Sequence, residues 1–315
     1  MRCPIIGIFA LSALLLTSLP AQAQRAKEWE YCDESGHGTP DERISNCTVL
    51  IESPVGDGDR AVAYNNRGVA WDDKGDQGLA IADYDQAIRL KPNYTRAYYN
   101  RGNAYSERDA TGDEERAIAD YDRAIGLDPK FTFARINRGN ALRAKGDTDR
   151  ALADYDEAIG LDPKLAKTYA HRGITNLSVG ALTKALADFK DASELDPENS
   201  YMALWRDILN RRSNLPSQLA GAAKNIDMTL WPAPVVRLYL GELAPEAVLS
   251  AANDPDPQIK RGQVCDAHFY TGELALQQGN KDEALRLFHL ATDCPKSFIE
   301  YEGAIAELKA LGVTP

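Results

Sequence analysis

Aspartates two residues apart recur along the middle of the chain, as Asp83/Asp85, Asp120/Asp122 and Asp154/Asp156. Paired carboxylates are the equipment of glycoside hydrolysis or of a metal site. Their spacing argues against both. Side chains two apart on a helix point in different directions. The pair also returns in successive copies of one repeated phrase, which marks it as architecture. The four histidines, His37, His171, His268 and His289, are scattered. None stands in H-E-x-x-H, and neither G-x-S-x-G nor G-x-x-x-x-G-K-[ST] occurs. His289, beside Phe288, reads as a surface or packing residue. No two cysteines have the C-x₂-C spacing of a zinc site. The expectation is a chain with no catalytic centre, no metal and no cofactor.

The 315 residues carry 36 Lys and Arg against 47 Asp and Glu, a formal net charge of −11. That balance offers no basic stripe for nucleic acid and no basis for adhesion to anionic lipid. The N-terminus reads as an export signal. Arg2 is followed by an apolar run from Ile5 to Leu19, then by Pro20 and the small-x-small pattern Ala21-Gln22-Ala23. Cleavage is expected after Ala23, giving a periplasmic protein. The apolar run falls short of the roughly 20 residues that span a bilayer. Cys3 lies before the run, so no lipid anchor is expected. Losing Arg2 takes the charge from −11 to −12. Cys32, Cys47, Cys265 and Cys294 remain, an even number that suits disulfides in an oxidising compartment. Composition alone permits all three pairings.

What must position these residues is a repeat. The phrase A-I-A-D-Y-D-Q-A-I-R-L-K-P ends at Pro92 and returns ending at Pro129 and Pro163, with a weaker copy ending at Pro197. The period is 34 residues, with one step of 37 whose extra residues fall around Arg108–Asp113. Each copy is led by Asn66-Arg67-Gly68, Asn100-Arg101-Gly102, Asn137-Arg138-Gly139 or His171-Arg172-Gly173. In Ala80-Ile81-x-x-Tyr84-x-x-Ala87-Ile88 the apolar residues recur at three and four, which is one helical face. Lys74–Asp76 and Lys145–Asp147 make the turn between two helices, and each Pro opens the break to the next unit.

This pattern resembles the tetratricopeptide-repeat (TPR) family. Gly68, Ala80, Tyr84, Ala87 and Pro92 stand at that family's positions 8, 20, 24, 27 and 32. Position 11 holds Trp71, Tyr105, Leu142 and Asn176, so the last copy departs there. The resemblance implies an all-α solenoid, a right-handed superhelix of antiparallel helix pairs. Arg67, Arg101, Arg138 and Arg172 replace the family's usual Leu at position 7. A half-buried cation needs a partner, and the first Asp of each pair is expected to supply it. The family also lines its concave groove with helix-A positions 2, 5, 6, 9 and 12. Here these include Arg96, Tyr99, Asn100, Asn103, Asn137, Asn140, Arg143, Lys167 and His171. Asn side chains can bracket a peptide backbone, and Lys167 and Arg143 can meet a carboxylate. The arrangement is similar to the carboxylate clamp of chaperone-binding TPR proteins at Asn103, Asn137 and Lys167. Tyr99 and His171 stand where that clamp has basic residues.

The flanks read as degenerate repeats. Ile44-x-x-Cys47-x-x-x-Ile51 follows a helix-B pattern with Trp29–Cys32 as its short partner helix. Tyr201–Arg212 reads as one amphipathic helix and Leu215–Pro257 breaks the periodicity. The pattern returns at Gly272, Ala284, Phe288 and Ala291, and a final helix covers Ile299–Leu311. The expected organisation is a signal peptide at 1–23, a disulfide-capped hairpin at 24–60 and four repeats at 61–94, 95–131, 132–165 and 166–199. A helical connector at 200–264 and a TPR-like hairpin with capping helix at 265–315 follow. In the repeat register Cys265 is position 1 and Cys294 position 30, opposite each other at the open end of a hairpin. Cys32 and Cys47 face each other across the Ser35–Pro40 turn. These two pairs are the expected disulfides, within the roughly 7 Å a bridge tolerates between Cα atoms.

Ala203-Leu204-Trp205, Leu238–Gly241, Phe269–Glu273 and Phe298–Tyr301, in that order, make residues 200–312 similar to the NlpI-type outer-membrane TPR lipoproteins. Those are adaptors that present cell-wall endopeptidases to a protease. The present chain lacks their lipid-anchoring cysteine. The expected function is a non-enzymatic periplasmic scaffold or adaptor for a protein or peptide, with cell-wall hydrolases or proteases as candidate partners. The alternative is a co-factor for export or assembly of envelope polysaccharide or outer-membrane proteins.

Overall fold

The computed structural model describes residues 29–30, 32, 38–108, 110–294 and 298–313. The expected signal peptide with its cleavage site, His37 and the first half of the 35–40 turn lie outside the described residues. Among the described residues there are sixteen helices and no strand, so the fold is all-α, of the TPR solenoid class. No described helix is long and apolar enough to cross a membrane. The chain divides into two compact units, residues 1–141 and 142–315.

The first unit holds α1 (Pro40–Glu52), α2 (Asp57–Asp73), α3 (Gln77–Leu90), α4 (Thr95–Arg108), α5 (Asp113–Leu127) and most of α6 (Thr132–Ala144). Helices α2 with α3, and α4 with α5, are antiparallel pairs. Local chemistry sets their ends. Gly75, at φ 79°, takes the left-handed turn after α2, and the Asp76 side chain accepts from the Leu79 N–H to start α3. Within each pair the glycine of helix A meets the aromatic of helix B. A Cβ on Gly102 would lie 2.7 Å from Tyr121 Cε1, and one on Gly68 2.6 Å from Tyr84 Cε1. Backbone and ring are thus in direct contact, and both rings are buried. At the extra residues, 110–112 lead into α5 and an ion pair closes over them. Arg108 donates twice to Asp113, at 2.7 and 2.8 Å, and Gly112 has φ 83°. At the N-terminal end Trp29 and Glu30 are helical, and Cys32, Cys47, Leu50 and Ala63 form a small core. Cys32 and Cys47 are bridged, with Cα atoms 4.9 Å apart.

The second unit continues with α7 (Thr148–Leu161), α8 (Ala166–Ser178), α9 (Leu182–Leu195) and α10 (Ser200–Arg212). Residues 213–256 carry three short helices, α11 (Leu219–Ala222), α12 (Ala233–Leu240) and α13 (Pro245–Ala251). Then come α14 (Pro257–Gln277), α15 (Lys281–Ala291) and α16 (Ile299–Ala310). Helix α14 runs unbroken through 264/265, where a boundary was expected between connector and hairpin. Helix α14 pairs with α15, and Cys265 and Cys294 are bridged, with Cα atoms 5.7 Å apart.

One continuous core joins the fourth repeat to everything that follows it. Ala170, Ile174, Phe189, Trp205, Phe269, Phe288, Ala304 and Leu308 all belong to it. Gly303 of α16 sits against the rings, where a Cβ would lie 2.7 Å from Trp205 and 2.8 Å from Phe269. The last turn of α10 is held by Arg212. It donates to both oxygens of Glu273 on α14 at 2.6 Å and to Glu307 on α16 at 2.7 Å.

Candidate binding surface

The repeated arginines are held as expected, and in one respect more fully. Arg67 donates Nε and Nη2 to the two oxygens of Asp83, each at 2.7 Å. Arg101 makes the same two-pronged contact with Asp120, at 2.7 and 2.6 Å. Arg172 meets Asp188 at 2.6 Å. In the first, second and fourth repeats the first Asp therefore holds the Arg of its own repeat. The second Asp was given no role by the sequence, and it reaches the Arg of the next repeat. Arg101 Nη1 donates to Asp85 at 2.5 Å, Arg138 to Asp122 at 2.6 Å and Arg172 to Asp156 at 2.6 Å. Two carboxylates that diverge from one helix thus tie two repeats together. Burial raises the Asp120 carboxyl above its ordinary value, and Arg101 pulls it part of the way back. These aspartates are committed to ion pairs and offer no acid–base couple.

The helix-A residues expected to line a groove behave differently in the two units. In the first unit Arg96 is exposed, and Tyr99, Asn100, Asn103, Asn137 and Asn140 are partly exposed. They are knitted together. The Asn137 amide donates to Asn103 Oδ1 at 2.8 Å and to the Tyr99 hydroxyl at 3.2 Å. The buried Tyr121 hydroxyl donates to the same Asn103 oxygen at 2.9 Å. Asn100 donates to Asn65 at 3.1 Å, Asn65 to Asn66, and Asn66 to the Cys32 carbonyl at 2.6 Å. Tyr99 also packs against Phe131, with centroids 4.8 Å apart. The result is a polar row of pre-oriented amides on an aromatic footing, running from the N-terminal disulfide to α6.

In the second unit the equivalent face is closed. Positions 5 and 9 of the fourth repeat are Ala170 and Ile174, at 0% and 2% exposure. Helix α16 packs on α8 and covers them. Arg143, expected to meet a partner's carboxylate, instead faces Glu302 of α16 at 2.9 Å, both side chains largely buried. His171 stacks on Tyr155, with centroids 6.1 Å apart. Burial, with Arg143 and Lys167 nearby, pushes its pKa down to about 3 and keeps it neutral. Lys167 is exposed. The repeat register alone does not show that the final helix returns to this face. Glu302 is an internal stand-in for the carboxylate that the clamp was expected to take.

Residues 73–108 and 139–180 match the family profile described as TPR repeat, and residues 95–131 match that of the tetratricopeptide repeat. Among solved structures, a tetratricopeptide repeat protein from Parabacteroides merdae is 16% identical. The alignment covers 91% of this chain and 98% of that one, with a TM-score of 0.55. YrrB, a TPR protein with an unusual peptide-binding site, is 17% identical over 84% of this chain and 97% of its own, at a TM-score of 0.44. MamA from Desulfovibrio magneticus RS-1 is 23% identical over 53% of this chain and 92% of its own, at 0.46. Residues 73–131 and 139–180 of this chain are therefore tetratricopeptide repeats.

Proposed function

We propose that this protein is a non-enzymatic scaffold, exported to the periplasm, that holds a protein or peptide partner on the helix-A face of its first unit. The observation that carries the reading is a contrast at identical repeat positions. Tyr99 and Asn103 of the second repeat stay polar and partly exposed, while Ala170 and Ile174 of the fourth are buried. An amide row already fixed by hydrogen bonds presents donors and acceptors at little ordering cost. The similarity of residues 200–312 to NlpI-type adaptors makes a cell-wall hydrolase or protease the candidate partner. A co-factor role in export or assembly of envelope polysaccharide or outer-membrane proteins is the alternative.

Affinity capture from periplasmic extract, with mass spectrometry, tests this. The wild-type protein should retain a partner that the Asn103→Ala/Asn137→Ala variant loses while keeping its helicity. Retention by both proteins places the partner elsewhere. The class of partner separates the two biological readings.

A further inference from the structure

The second unit contains a cleft of about 580 Å³ beside α10, a size typical of ligand sites. Its floor is one face of α10, with Ala203, Asp207 and Asn210. The end of α9 and the 218–225 segment form its walls. Two polar side chains on the floor are buried and incompletely bonded. Asp207, 1% exposed, accepts at Oδ2 from Arg211 Nε at 2.7 Å, and its Oδ1 has no partner. Asn210, 6% exposed, has no partner for its Nδ2. A buried polar atom without a bond costs roughly 1–3 kcal/mol, so two on one cleft floor call for a partner.

An unpaired acceptor and an unpaired donor three residues apart on one helix stand on the same face. Their complement is a group that offers an N–H and a C=O together. A residue in extended backbone does so along one edge. The rim adds a sign. Glu194 and Asp196 line the cleft with Asp207, opposed by Arg206 on the rim and Arg211 behind Asp207. Glu194 already faces Arg206 at 3.5 Å and Asp207 faces Arg211, so the one negative charge left over is that of Asp196, beside the exposed Glu194.

We propose that this cleft is a second peptide site. It takes an extended partner segment whose main-chain amide spans Asp207 and Asn210 and whose Lys or Arg side chain lies against Glu194 and Asp196. The site is separate from the amide row of the first unit, so either can fail without the other.

The test uses the whole mature chain and fluorescein-labelled hexapeptides of alternating Ala and Lys, with an Ala/Glu counterpart and with spermidine as competitor. Anisotropy should show saturable binding of the Lys peptide only. Asn210→Leu should weaken it about tenfold and Glu194→Gln about threefold. Circular dichroism must show wild-type melting for the variants. If Asn210→Leu does not fold, the Glu194→Gln result and the confinement of NMR shifts to residues 193–225 decide instead. Absence of saturable binding overturns the proposal. So does equal binding of the Glu peptide, full displacement by spermidine at the peptide's own concentration, or indifference to both cleft variants.

Discussion

Replacing Arg101 by Leu, the residue TPR proteins usually carry there, should cost the first unit about 3 kcal/mol at neutral pH. The wild-type guanidinium makes two charged hydrogen bonds to Asp120, whose side chain is 7% exposed, and one to Asp85, which is 49% exposed. The exposed arm is worth roughly 0–1 kcal/mol. The buried arm dominates, because removing one partner of a buried pair typically costs about 3–5 kcal/mol. The new leucine recovers about 1 kcal/mol of that by apolar burial. Asp120 can escape by taking a proton, and burial already raises its pKa. In the variant its folded pKa lies further above the unfolded value. That stability is then present at low pH and lost as pH rises. The deficit relative to wild type should shrink to under about 1 kcal/mol near pH 4. The double variant Arg101→Leu/Asp120→Leu should return to within about 1 kcal/mol of wild type at neutral pH, since an apolar pair can replace an ionic one. Urea titration followed by circular dichroism, with hydrogen exchange on α4 and α5 to localise the loss, measures this. A single-variant deficit that is the same at both pH values, or a double variant as unstable as the single, would refute the reasoning.

Burial and packing set three further outcomes. Glu300 is 5% exposed and accepts from Tyr270 at 2.9 Å; burial, then the nearby Asp266, raise its pKa above the ordinary value of 4.5. The folded state therefore keeps a proton that the unfolded state releases, and the second unit should lose about 1.4 kcal/mol per pH unit above that value. Glu300→Gln should flatten this slope in thermal melts between about pH 5 and pH 8, and an unchanged slope would exclude Glu300 as its source. In the first unit Gly102→Ala should destabilise by about 1–3 kcal/mol, because its Cβ would meet Tyr121 at 2.7 Å. Gly126→Ala, in a helix with nothing within 4 Å, should stabilise by up to about 1 kcal/mol in the same urea assay.

The repeats were legible because what builds them is local. Gly102 and Tyr121, or Gly68 and Tyr84, meet inside one 34-residue unit, so their spacing recurs and can be read from the chain. The hold of Asp83 on Arg67 and of Asp120 on Arg101 lies within one unit as well, and was legible for that reason. The link from Asp85 to Arg101 crosses to the next unit, and a within-helix argument about direction could not find it. The closing of the fourth repeat by α16 is the extreme case. Periodicity reports which residues share a face, and says nothing of what covers that face. Ile174 keeps the register of Asn103, as His171 keeps that of Asn100, yet Ile174 is roofed by the helix that begins at Ile299. A compositional trace of the difference does exist. Positions 5 and 9 change from Tyr99 and Asn103 to Ala170 and Ile174. Exposing an isoleucine at the centre of a groove forgoes about 1.5–3 kcal/mol of burial. An apolar residue at a position that elsewhere faces solvent therefore marks where a repeat array stops being a surface and becomes a core. The same substitution explains why Arg143 finds its carboxylate inside the chain: a face turned apolar recruits a helix, and the helix brings Glu302 with it.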